Sequence, residues 1–230
     1  MSPRNLGLSS VVRKMFMALS GLLLVGFLFV HLAGNISLYF KDGSYFNSYV
    51  HHLQGFGRAL IVAELILAAL FLFHIVWGIV LSLQNRFAKG IRPSLLVPKE
   101  ANTPSNLSSR NMTFTGLLLL VFIIGHVYSL RFGPAESLGY TTTVAGEQAR
   151  DLYRLVMEKF HIIDYVVVYV GFMVILGLHL RHAFWSAFQS LGLAFPRYSR
   201  AIMLLGYFIA GLLMIGFLFI PLAVYFGFQV

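Results

Sequence analysis

Four histidines stand singly inside long apolar runs of this chain: His31, His74, His126 and His179. An ionisable side chain in such a run is costly in hydrocarbon, so it reads first as functional. Imidazole has three uses there: it moves protons, it hydrogen-bonds a neighbouring helix, or it binds a metal through one ring nitrogen. One buried histidine is explained as well by a hydrogen bond as by a metal. Four of them, one on each of four runs, ask for a shared partner. Imidazoles facing each other in pairs supply the two axial nitrogens that an iron porphyrin takes on its opposite faces. The interior of a helical bundle is where such a group is housed.

The runs that must position these rings are five, roughly residues 14–40, 57–84, 112–131, 164–189 and 201–226. Each has about 20 or more mostly apolar residues, enough at 1.5 Å per residue for a ~30 Å hydrocarbon core. The composition, 58% hydrophobic and 11% charged, leaves too little polar material for a soluble surface. The expected fold is an all-α integral membrane protein, one bundle of five transmembrane helices spanning residues 1–230. The apolar run after Lys14 is too long for the core of a signal peptide, and no small-residue cleavage site follows, so it reads as a retained helix. No repeat is apparent along the chain. The absence of cysteine excludes disulfides, thiolate metal sites and a catalytic thiol.

The net charge of +9 sits at the ends of the apolar runs, as orientation signals do, rather than along a polar face that would suit nucleic acid. Arg4, Arg13 and Lys14, then Arg86, Lys89, Arg92, Lys99 and Arg110, then Arg197 and Arg200 fall on one side. On the other, Arg150, Arg154 and Lys159 are offset by Glu136, Glu147, Asp151 and Glu158. This bias puts the N-terminus inside and the C-terminus outside. The 85–111 connection, with Pro93, Pro98 and Pro104, reads as an extended inner loop. Residues 146–160 read as a short interfacial helix, with Leu152, Leu155, Val156 and Phe160 on its apolar face. His51 and His52 belong to a short solvated outer loop.

Depth sorts the four histidines into twos. His31 and His126 each lie about 4 residues past the middle of an outward-running span, roughly 6 Å to the outer side. His74 and His179 lie about 4 and 3 residues past the middle of inward-running spans, roughly 5 Å to the inner side. Two levels on the order of 10 Å apart result, and two haems fit them better than a single histidine-only metal site, which wants its ligands at one level. Helical phase places Arg13 and Ser20 on the face of His31, toward the inside. His182 follows His179 by one turn, suited to a haem propionate or a quinone, and is the alternative fourth ligand. Arg181 points away and snorkels to headgroups. Glu64 lies near the outer pair, a candidate for proton exchange with a quinone or for an interhelical hydrogen bond. His161 and Asp164 read as interface residues.

The segments RKMFMALSGLLLVGFLFVHLAGN, YFNSYVHHL, AELILAALFLFHIVWGIVLSLQNR, TGLLLLVFIIGHVYSLRFG and LHLRHAFWSAFQSLG together resemble the cytochrome b558 membrane anchor of bacterial succinate dehydrogenase and fumarate reductase, in its single-chain, five-helix, di-haem form. The resemblance extends to about residue 195. It implies two haem b groups with His31, His74, His126 and His179 as axial ligands. It also implies an iron–sulfur subunit and a flavoprotein subunit on the cytoplasmic side of the inner membrane, and menaquinone or another quinone as the electron partner. The chain has no flavin or nucleotide fingerprint, so it is expected to conduct electrons and anchor its partners rather than oxidise a dicarboxylate. Membrane lipid is expected around it, and no nucleic acid. The rival readings are the di-haem anchor of a hydrogenase or formate dehydrogenase and a haem-free histidine proton relay. The relay would want a broken helix at mid-membrane, and no proline interrupts the first four spans; Pro221 lies late in the fifth.

Overall fold

A computed structural model describes residues 9–90 and 105–228, with side chains of residues 10, 85–90 and 105–110 left aside. Its elements are α1 Ser10–Asn35, α2 Ser44–Gly55, α3 Arg58–Gly90, α4 Ser105–His126, strands β1 Thr141–Val144 and β2 Glu147–Arg150, α5 Leu152–Phe160, α6 Ile163–Ser190 and α7 Ser199–Phe226. Five helical stretches are long and apolar enough to cross a bilayer: Val11–Tyr39, Arg58–Gln84, Asn111–Arg131, Ile163–Ser190 and Ser199–Phe226. By helix length and hydropathy this is a multi-pass membrane protein. Its exposed side chains agree, since Leu65, Ile66, Leu72 and Val76 on α3 face outward with no protein over them.

Local chemistry sets the helix ends. Ser9 caps α1, its hydroxyl oxygen accepting from the Val12 amide at 3.3 Å. The helix tightens into a 3₁₀ turn over Ile36–Tyr39 before the chain turns back. α4 loosens into a π-helical turn at Val127–Arg131, directly after His126. α7 stops at Gly227, which takes the left-handed φ of 70° that a side chain would resist.

α1 packs against α3 and α6, and α4 packs against α6 and, most thinly, α3. The ring order is therefore α3–α1–α6–α4, with neighbours antiparallel. α3 and α4 are pinned near both ends. Ser82 and Thr113 share a hydroxyl–hydroxyl hydrogen bond of 2.8 Å at the N-terminal, basal end, and Arg131 grips Glu64 at the other. α7 lies outside the ring, in the densest contact of the molecule with α6 and also against α1. The core gathers there, on Leu32, Met173, Leu213, Phe217, Ile220 and Val224.

Bare backbone makes that contact possible. A Cβ on Gly177 would stand 2.5 Å from the Met214 sulfur and 2.9 Å from its Cβ, so α7 approaches as closely as a glycine allows. Gly177→Val is expected to cost roughly 1–3 kcal/mol by overpacking, read as a lower unfolding temperature in detergent. Gly171→Val is its control, because nothing lies within 4 Å of a Cβ there.

The other end of the bundle is covered. β1 and β2 pair antiparallel from Thr141↔Arg150 to Val144↔Glu147, and Ala145 and Gly146 turn the hairpin with φ of 52° and 86°. Two positive φ values in a two-residue loop match the twist of the strands. The buried Asn47 of α2 donates to Asp151 at 2.8 Å and accepts from the Tyr153 amide at 3.0 Å. Asp151 also caps α5 through the Arg154 amide at 2.9 Å. Glu158 on α5 accepts from the Tyr140 hydroxyl and the Arg154 guanidinium, and these hold its carboxyl below the usual range. A lowered carboxylate pKa contributes stability above its ordinary range and loses it as pH falls through the shifted value. The protection of α5 amides, relative to their intrinsic exchange rate at each pH, is therefore expected to fall on acidification through the carboxylate range, and to fall less in Glu158→Gln.

Several expectations need correction here. The connection at 85–111 is helical as far as Gly90 and again from Ser105. Residues 91–104, with Arg92, Pro93, Pro98, Lys99 and Pro104, lie outside the described residues, as do Arg4 and the side chains of Arg86, Lys89 and Arg110. The stretch 146–160 is a helix only from Leu152, because β-branched Thr141–Val144 recruits Glu147–Arg150 as a strand. Leu155, Val156 and Phe160 are buried against the bundle. His51 and His52 are on α2 rather than in a loop, and His51 sits 3.4 Å from Glu147. His161 closes α5, with Nδ1 2.6 Å from the Met157 carbonyl, and Asp164 lies in the first turn of α6.

Candidate functional site

The four histidines come from helices that face each other diagonally across the ring: His31 on α1 and His126 on α4, His74 on α3 and His179 on α6. The rings of His31 and His126 stand 5.8 Å apart, centroid to centroid, with planes at 86°. Two metal–imidazole bonds of about 2 Å each, plus the two ring radii, ask for about 6 Å. A quarter-turn between the planes is compatible with two axial rings sharing one axis. Among the described residues no group of three or more His, Cys, Asp or Glu side chains is arranged to hold a bare metal ion.

Each ring is also held through its Nδ1 edge. His74 Nδ1 lies 3.1 Å from the Ser20 hydroxyl, and His179 Nδ1 lies 3.0 Å from the Thr115 hydroxyl. His126 Nδ1 lies 3.1 Å from the buried Tyr169 hydroxyl. His31 has the Asn35 amide nitrogen at 3.5 Å, with that nitrogen donating to the His31 carbonyl at 2.7 Å. An acceptor at one ring nitrogen leaves the other for a ligand, the usual support of a metal-binding histidine; the Asn35 amide nitrogen can only donate and does not give His31 this support. Aromatic rings fill in around them. Phe27 stacks on His31 at 5.4 Å, Phe122 leans on His126 at 5.5 Å, and Phe217 of α7 reaches His31 at 5.6 Å.

These partners expose a repeat that the sequence reading missed. Ser20-Gly-Leu-Leu-Leu on α1 and Thr115-Gly-Leu-Leu-Leu on α4 each lie eleven residues before a histidine, with Phe27 and Phe122 four residues before it. The two segments occupy equivalent places in the ring. Eleven residues span about 16 Å of helix. Because Ser20 and Thr115 touch the basal histidines, the two levels are that far apart along the helix axes, more than the 10 Å that span midpoints suggested.

The remaining expected site residues divide. Arg13, on the α1 face of Ser20, carries a buried Nε with no hydrogen-bond partner among the described residues, a donor that an anionic group would satisfy. His182 is half-buried one turn basal of His179. Glu64 is not an unpaired buried carboxylate: Arg131 donates to it twice, at 2.8 and 3.1 Å, and both side chains are partly exposed. Arg181 lies over the Tyr207 ring of α7 at 5.4 Å rather than reaching only for headgroups. Thr115, Tyr169, Asn35 and Phe217 were not singled out beforehand. The spacing of Thr115 to His126, equal to that of Ser20 to His31, was the one signal that could have found any of them.

Together the fold and these contacts define a class: a multi-pass helical bundle with one histidine on each of four helices, the rings of His31 and His126 facing each other. No family model, no curated protein and no solved structure matches the chain.

Proposed function

We propose that the chain is the haem b-carrying membrane anchor of a succinate:quinone oxidoreductase, with two bis-histidine haems between an iron–sulfur subunit and a membrane quinone. The observation that carries this reading is the set of four histidines in diagonal pairs at two levels, each with its Nδ1 edge engaged. The residues present fit the group: the His31–His126 spacing suits a shared metal, and the orphaned Arg13 Nε suits a propionate. His74 and His179 hold the basal haem and His31 and His126 the other. His182 and Arg13 bind anionic or carbonyl groups at the basal level, and Ser20 supports His74. Bound haem supplies one-electron carriage between the two ends of the bundle. The protein's own part is to orient the imidazoles, exclude water with Phe27, Phe122 and Phe217, and set each iron's potential through ligand basicity and burial. The basal end, with Arg13, Lys14, Arg197 and Arg200, is the cytoplasmic side where the flavoprotein and iron–sulfur subunits dock. Menaquinone or another quinone exchanges electrons from within the bilayer, and the Glu64–Arg131 pair is a charged group at the α3/α4 seam toward the capped end.

The test is a reduced-minus-oxidised spectrum of the purified full-length chain, with haem counted per polypeptide. Two haem b per chain are expected. A colourless chain from cells supplied with ample porphyrin overturns the proposal, and copurifying subunits that lack a covalent flavin move it to another quinone-linked complex.

A further inference from the structure

We infer that the Ser20–Gly21 and Thr115–Gly116 units are a two-sided cradle that fixes the tautomer and seat of the basal histidine pair. The inference rests on the di-haem reading and assigns a positioning role inside it. The hydroxyls are what decide the proton. Thr115 Oγ1 lies 2.8 Å from the Asn111 carbonyl and 3.1 Å from that of Met112, so its single O–H is spent on the backbone. Toward His179 it presents a lone pair, at 3.0 Å. Ser20 does the same: its O–H donates to the Met17 carbonyl at 3.1 Å, leaving a lone pair 3.1 Å from His74 Nδ1. With the hydroxyl hydrogens on the backbone carbonyls, each Nδ1 carries the ring hydrogen and each Nε2 keeps its lone pair for a ligand.

The glycines give the rings their place. A Cβ on Gly21 would stand 3.2 Å from His74 Cε1, and one on Gly116 would stand 3.5 Å from His179 Cε1. The approach at Gly21 is tighter than most side chains allow, so His74 rests against bare backbone there, while the approach at Gly116 is an ordinary contact that a Cβ would keep. The upper pair has no such unit. Its partners are the Tyr169 phenol and an Asn35 amide nitrogen, which gives one hydrogen to the His31 carbonyl and can only donate toward the ring. The two pairs are thus held by different hydrogen-bond chemistry. The chain Nδ1–H to hydroxyl to carbonyl polarises along its length and raises the basicity of the ligating nitrogen. More basic axial ligands favour the oxidised iron, so the cradle holds the basal potential down.

The test uses the purified full-length protein, its two haem centres resolved by redox titration and assigned by the one that His74→Ala removes. Thr115→Val is expected to raise the basal midpoint and to weaken basal haem retention by about 10–100-fold, leaving the upper centre unmoved. Thr115→Ser is expected to restore both values, and Ser20→Ala to shift the same centre from the opposite helix. One measurement needs no variant: in the reduced, diamagnetic protein, ¹⁵N-histidine spectra should show two Nδ1–H protons protected from exchange. A wild type without haem overturns the di-haem reading and the cradle together. A two-haem wild type whose Thr115→Val and Ser20→Ala forms keep the basal centre unshifted, or whose basal Nδ1 protons are absent, overturns the cradle alone.

Discussion

In the di-haem reading proposed above, His74→Ala and His179→Ala are each expected to remove one haem and to leave the other spectrally intact; His31→Ala and His126→Ala are expected to remove the second. The expectation follows from the ring order. Each pair spans its own diagonal, α3 with α6 or α1 with α4, and the pairs are about 16 Å apart along the helices. No ligand is shared, so the loss should be all of one centre and none of the other. His182→Ala should keep both haems, since Thr115 orients His179 and not its neighbour one turn on. Haem content per chain and low-temperature spectra of the folded variants are the readout. A single substitution that empties both centres while the helices stay folded would contradict separate pairs. A His182→Ala chain that loses the basal centre would transfer the ligand role.

The second large effect lies in the cap. Arg150 is buried, 8% exposed, at the end of β2. Its guanidinium donates to the Leu130 carbonyl at 2.8 Å, to Pro134 at 2.9 and 3.1 Å, and to Arg131 and Gly133 at 3.3 Å. These are carbonyls at the end of α4 and its π turn, which a helix terminus leaves without partners. Burial lowers the pKa of Arg150, and the Arg131 charge adds to this, but a guanidinium stays protonated at any working pH. Arg150→Met strands several carbonyls at about 1–3 kcal/mol each, so a loss of roughly 3 kcal/mol or more is expected. Arg150→Lys should recover only part, because a point charge cannot fork to several acceptors. Unfolding temperature and hydrogen exchange over residues 127–150 measure it. Since His126 opens the π turn, the proposed upper haem should loosen before the basal one. Unchanged exchange in Arg150→Met would dismiss the clamp.

Hydropathy and length sufficed for the five spans and for the isolation of four histidines within them, because lipid as solvent makes every spanning segment pay its own polar cost locally. A residue's depth could be counted along its own helix for the same reason. What each ring faces could not. Thr115 and His179 are 64 positions apart, Tyr169 and His126 43, and Ser20 and His74 54. Whether such residues meet depends on the rotation and order of helices, which no single span encodes. Tertiary packing decided that the histidines oppose one another diagonally, that Glu64 is matched by Arg131, and that Asn47, Asp151 and Arg150 build a cap where a short interfacial helix and a solvated loop were expected. The repeat in α1 and α4 was written in the residues throughout. It became legible only when Ser20 and Thr115 were found at the same task on opposite sides of the bundle, since two hydroxyls in apolar helices mean little until an imidazole is seen against each.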